Sequence, residues 1–179
     1  MLLAQAQKIR AAHFKPDFIV AIARGGLIPA RILSDLLEIP HLATMQVEFY
    51  VDIAQTKQEP TLKQPFTAEV QGKRVLLVDD IADTGKSLQF SENLLKNQGA
   101  QEIQSATLYF KPCSIKKPNY LEKQTANWVI FPWDTKETLR CIIKKQQGKR
   151  QINQEIAKLV KAGLPKQLAD KLLSGMQEP

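Results

Sequence analysis

One stretch, Val75-Leu76-Leu77-Val78-Asp79-Asp80-Ile81-Ala82-Asp83-Thr84-Gly85-Lys86-Ser87, limits the fold more than any other part of the chain. Its four consecutive apolar residues predict a strand buried on both faces, the habit of parallel sheets. Two carboxylates follow where that strand should end. A short Asp-Thr-Gly-Lys-Ser loop comes next, and the run from Leu88 to Asn97 has helical periodicity. Strand, loop and helix in that order aim backbone N–H groups outward at a helix N-terminus, a natural seat for a phosphate. The carboxylates would repel a phosphate, so their natural partners are ribose hydroxyls and a divalent cation. A ligand with a phosphate at one end and a metal-chelated ribose beside it meets both demands. A Walker A loop would need Gly five residues before Gly85, where Asp80 stands, and Gly-x-Gly-x-x-Gly occurs nowhere.

The rest of the chain extends this pattern. Residues 1–13 read as a helix. Phe18 to Ile22 read as a second buried strand, broken by Arg24-Gly25-Gly26, and Leu27 to Leu37 read as a helix. Strands are expected over Leu42–Tyr50, Ile103–Phe110 and Trp128–Phe131, and a helix over Thr135–Lys145. Residues 51–70, polar and carrying Pro60 and Pro65, read as a long loop, and long loops in compact domains are usually functional. Alternating strands and helices predict an α/β fold with a mostly parallel central sheet flanked by helices. Ligands of such sheets bind beyond the carboxyl ends of the strands. Arg24, Asp79 and Lys111 all fall at expected strand ends, so they should meet in one crevice.

The chain's 179 residues suit one compact domain, expected over 1–147, with a helical C-terminal extension over 148–179. Gly163 and Pro165 separate two short amphipathic helices in that extension. The net charge of +7 is uneven. Lys144, Lys145, Lys149, Arg150, Lys158, Lys161, Lys166 and Lys171 face only Glu155, Asp170 and Glu178, an excess of five positive charges in the last 36 residues. With no aromatics interleaved, this reads as a solvated helical face rather than a nucleic-acid surface. No apolar run is long enough to span a membrane, and no secretory pattern opens the chain. Cys113 and Cys141 cannot build a disulfide framework, so a reducing cytoplasm is the expected setting.

The opening motif resembles that of the type I phosphoribosyltransferases, which bind 5-phosphoribosyl 1-pyrophosphate (PRPP). The resemblance covers about residues 14–143. It implies that Asp83, Thr84, Gly85, Lys86 and Ser87 hold the 5-phosphate. Asp79 and Asp80 would face the ribose hydroxyls, directly or through Mg²⁺. Arg24 and Gly25 match the family's pyrophosphate loop, where the Arg24–Gly25 peptide is expected to be cis, and the amides of Gly25 and Gly26 would join Arg24 on the pyrophosphate. Residues 51–70 match the mobile lid, with Lys57 and Lys63 as candidate cations.

Lys111, followed by Trp128-Val129 and Asp134, resembles the base site of the 6-oxopurine branch: the hypoxanthine, guanine and xanthine phosphoribosyltransferases. There the lysine reaches purine O6 and an aromatic residue stacks on the ring. The next residue offers backbone groups, and the aspartate helps hold metal and pyrophosphate. Trp133 is the expected core member of the two tryptophans. Asp83 also matches the proposed general base near purine N7. The resemblance therefore implies a Mg²⁺-dependent purine salvage enzyme, a homodimer or homotetramer. A PRPP-binding regulator using its basic tail on RNA or DNA is the alternative, as is a phosphoribosyltransferase for another base such as adenine.

Overall fold

The computed structural model describes residues 1–50, 59–63, 65–145 and 149–175. In chain order the elements are α1 (Leu2–Ala11), β1 (Phe18–Ala23), α2 (Leu27–Leu37), β2 (Leu42–Tyr50), β3 (Glu59–Leu62), β4 (Arg74–Ala82), α3 (Lys86–Asn97), β5 (Glu102–Phe110), β6 (Tyr120–Gln124), α4 (Thr135–Lys145), α5 (Lys149–Lys161) and α6 (Lys166–Ser174). The strands form one six-stranded sheet in the order β3-β2-β1-β4-β5-β6. All neighbours are parallel except β3, which runs antiparallel to β2. The chain packs as two compact units, Met1–Trp128 and Val129–Pro179.

Both faces of the central strands are buried, which explains their unbroken apolar runs. Ile19, Ala21, Leu76 and Val78 face Ala6 and Ile9 of α1 and Ala30 and Leu33 of α2. Val20, Ile22, Val75 and Leu77 face the other way, against Leu88 and Leu95 of α3. Removing a fully buried side chain such as Leu76 to Ala costs about 2–5 kcal/mol. In the second unit α4, α5 and α6 pack on one another. Leu139 and Ala169 are buried. Gly163 takes a φ of 114° just past the end of α5, and Pro165 caps α6.

Three expectations change. The strand expected over Trp128–Phe131 does not form. Trp128 is 71% exposed, and the Phe131 amide donates to Asp134 Oδ1 at 2.9 Å rather than to a sheet neighbour. The sixth strand is instead Tyr120–Gln124, an edge strand whose Tyr-Leu-Glu-Lys-Gln sequence carries no alternation. It is held by pairing to β5, by Gln5 Nε2 donating to the carbonyls of Thr107 and Tyr120, and by the Lys8–Glu122 ion pair at 2.8 Å. Part of the expected loop 51–70 is the short strand β3, in which Pro60 is tolerated because it lies at the sheet edge. Finally, β4 continues through the carboxylate pair to Ala82 instead of ending before it. Lys57 lies outside the described residues. Lys63 pairs with Glu48 at 2.9 Å.

Candidate active site

The adjacency of β1, β4 and β5 brings their carboxyl ends to one edge of the sheet. Arg24 follows β1, the loop 83–85 follows β4, and Lys111 follows β5. The convergence expected for Arg24, Asp79 and Lys111 is thus a property of the strand order.

After β1 the chain turns sharply into α2. The Ala23–Arg24 peptide is cis, one bond earlier than expected. The Gly26 amide donates to Ile22 O at 2.8 Å, so it is committed to the turn rather than to a pyrophosphate. Gly25 lies so close to Asp80 that a Cβ there would meet all three atoms of the Asp80 carboxylate group at 2.5 Å. The missing side chain is therefore what lets a carboxylate of β4 lie against this turn.

Asp79 and Asp80 are consecutive residues of β4. The Asp80 amide donates to Asp79 Oδ1 at 2.9 Å. Asp80 is only 8% exposed. Burial first, and the neighbouring Asp80 carboxylate second, push the Asp79 pKa well above its ordinary value of 3.8. A divalent cation relieves that repulsion, so the pair suits Mg²⁺. That ion takes one or two carboxylates and completes its shell with substrate oxygens and water. Among the described residues, no cluster of three or more His, Cys, Asp or Glu forms a protein-only metal site.

The loop 83–85 closes into α3 two residues earlier than its sequence periodicity suggests, with Lys86 as the first helical residue. Gly85 takes a left-handed φ of 78°, which glycine adopts without strain. The N-cap residue Gly85 has no side chain to cap α3, and the Lys86 amide donates to Thr84 Oγ1 at 3.4 Å. The remaining first-turn N–H groups have no helical partner, a geometry that suits an anion.

Lys111 Nζ sits 2.7 Å from Asp83 Oδ2, and the lysine side chain is only 13% exposed. The same ammonium lies over the Trp128 ring, 5.6 Å from its centroid. Trp128 is thus an exposed aromatic surface at the site edge rather than a core residue. Trp133, expected in the core, is 36% exposed and stacks on the buried Phe131 at 4.9 Å. Trp133 and Phe131, with Val129 and Asp134, belong to the second unit.

Sequence reading missed the segment after Lys111. The Lys111 amide donates to Ala82 O at 3.0 Å, the Ile115 amide to Thr84 O at 2.9 Å, and Lys116 Nζ pairs with Glu92 Oε2 at 2.5 Å. Ser114, Ile115 and Lys116 fill the space where a Gly85 side chain would be. The one sequence signal for this contact was the requirement for glycine at position 85.

The phosphoribosyl transferase domain family matches residues 4–138. The xanthine-guanine phosphoribosyltransferase of Nitratidesulfovibrio vulgaris (strain Hildenborough) is 34% identical over 119 residues, 65% of this chain and 68% of its own. A purine phosphoribosyltransferase from Pyrococcus horikoshii Ot3 superposes with a TM-score of 0.67 at 40% identity, covering 74% of this chain and 85% of that one. A Neisseria gonorrhoeae protein solved with bound ppGpp superposes with a TM-score of 0.64 at 31% identity, covering 75% and 82%.

Proposed function

The chain belongs to the phosphoribosyl transferase family, and from that membership we propose that it is a purine salvage enzyme. It transfers ribose 5-phosphate from PRPP to a 6-oxopurine, giving the nucleoside monophosphate and pyrophosphate. The similarity to purine and xanthine-guanine phosphoribosyltransferases supports the purine class. The observation that carries the 6-oxopurine reading is the Lys111–Asp83 pair, which sets a donor and an acceptor side by side at 2.7 Å. A 6-oxopurine offers the complementary pattern on one edge: O6 accepts, and a protonated N7 donates. Adenine puts an amino donor where Lys111 also donates, and the pair rejects it.

In this reading the loop 83–87 and the N-terminus of α3 hold the 5-phosphate. Arg24 and the turn at Gly25 hold pyrophosphate. Asp79 and Asp80 take the ribose hydroxyls and hold Mg²⁺, which supplies charge neutralisation for the leaving pyrophosphate. As the purine nitrogen bonds to the anomeric carbon, positive charge builds on the ring, and the Asp83 carboxylate accepts the N7 proton. As the N7 proton leaves, electron density shifts onto O6, and the Lys111 ammonium stabilises that negative charge. Trp128 offers a stacking face to the base. For Val129 and Asp134 the proposed roles rest on the family pattern alone.

Residues 1–147 are proposed as the catalytic domain, with 148–179 as an extension. Two free cysteines, and no membrane-spanning helix among the described residues, fit a cytoplasmic protein. Exposed Leu27, Ile28 and Ile32 on α2 and Leu168 on α6 fit a homo-oligomer, which sedimentation equilibrium measures. The deciding experiment incubates the protein with PRPP, Mg²⁺ and each of hypoxanthine, guanine, xanthine and adenine, and follows pyrophosphate release. Turnover of a 6-oxopurine and not of adenine is expected; turnover of adenine alone refutes the Lys111 argument.

A further inference from the structure

Lys111 does not hang from the end of β5 by itself. It begins a segment, residues 111–116, that is fastened at three places: to the end of β4, to the loop after it and to α3. The Lys111 amide bonds Ala82 O, and the Ile115 amide bonds Thr84 O. At the far end Lys116 Nζ reaches Glu92 Oε2 at 2.5 Å. Glu92 lies on α3, the helix whose first turn closes the anion loop, and it is only 8% exposed. Its other carboxylate oxygen is 3.6 Å from Lys96, a longer and more solvated contact. Within the segment, Ser114 N donates to Lys111 O at 3.0 Å and Ser114 Oγ to Lys116 O at 2.9 Å, so it is a folded turn rather than a slack loop. The turn lies directly on Gly85: a Cβ there would meet Ser114 Oγ at 2.3 Å and Lys116 N at 2.7 Å.

We propose that the Glu92–Lys116 ion pair is a positioning device that joins segment 111–116 to the anion loop and α3, so that filling the loop with a phosphate sets Lys111 for the purine. The inference rests on the proposed function for its consequence, but not for its geometry. A buried carboxylate holds its partner firmly, because leaving it unpaired in a low-dielectric setting is costly. Backbone contact at Gly85 then transmits any movement of the loop to the turn and back. Glu92 and Lys116 touch no substrate in this scheme. They act through Lys111, and coupling of this kind changes the affinity of one ligand in the presence of the other.

The test uses the full-length protein with ribose 5-phosphate as the probe, read by hydrogen exchange. In the wild type, protection should appear over 84–88 and spread to 112–117. In Lys116→Met it should stay within 84–88, and Lys116→Arg should restore the spread. In the kinetic arm, saturating PRPP should tighten the purine in the wild type by a factor in the range of about 5- to 150-fold, the usual span for coupled sites, and that factor should fall towards one in Lys116→Met. A purely structural role would lower the melting temperature and leave this ratio unchanged. Protection confined to 84–88 in the wild type, or an unaltered ratio in the variant, overturns the proposal. If protection spreads but no purine is turned over, the coupling stands and the purine assignment falls.

Discussion

Gly25→Ala is the sharpest perturbation available, because the structure says where the new methyl group goes. It would lie 2.5 Å from Cγ, Oδ1 and Oδ2 of Asp80, against the 3.4 Å of ordinary contact, so the carboxylate must retreat by about 0.9 Å. Gly25 is not among the positive-φ residues, so alanine brings steric rather than conformational strain. Overpacking at a buried position costs about 1–3 kcal/mol, and Asp80 is only 8% exposed. A misplacement of about 1 Å in a reacting constellation costs on the order of 100-fold in rate. Urea denaturation of the wild type, Gly25→Ala, Asp80→Ala and the double variant separates the two effects. In Asp80→Ala all three clashing atoms are gone, so Gly25→Ala should there cost no more than about 0.5 kcal/mol. Pyrophosphate release should stay low in all three variants, because the double variant regains stability without a carboxylate at position 80. An equal stability cost of Gly25→Ala in both backgrounds would falsify the reasoning, since the clash with Asp80 would then not be its source.

Lys111→Met removes the proposed donor to O6 and should cost about 1.5–3 kcal/mol of transition-state binding for hypoxanthine, seen as a fall in kcat/KM with the PRPP KM little changed. Asp79→Asn should lower turnover yet stabilise the metal-free protein. Because the folded pKa is raised, that gain is absent below the ordinary value of 3.8 and grows as pH rises towards the folded pKa, which denaturation in EDTA across a pH series measures. Asp17 shows the opposite sign: hydrogen bonds from the Arg74 side chain and amide lower its pKa to about 2. The bidentate pair is more than a third exposed, so Asp17→Asn should cost no more than about 1 kcal/mol at neutral pH. That difference should shrink as pH falls from 3.8 through about 2, and a difference at pH 2 as large as at neutral pH contradicts the assignment.

What the sequence alone determined was whatever depends on neighbours along the chain. The buried strands β1 and β4, the helices over Leu27–Leu37 and Thr135–Lys145, and the strand over Leu42–Tyr50 were legible because periodicity and apolar runs are local signals. So was the order of strand, acidic pair, anion loop and helix, and with it the parallel α/β sheet. Edge strands were not legible. Tyr120–Gln124 and Glu59–Leu62 carry no pattern of their own and exist because a neighbouring strand offers a ladder. For the same reason the apolar run at Trp128–Phe131 misled: nothing in the run itself says that no ladder receives it. Within the site, sequence named Asp80, Gly25, Asp83 and Lys111 one at a time. Tertiary packing laid the Asp80 carboxylate on Gly25, joined Lys111 to Asp83 across 28 residues of chain, and tied Lys116 to Glu92. Such pairs are set by how distant segments pack, which residue type and spacing do not encode.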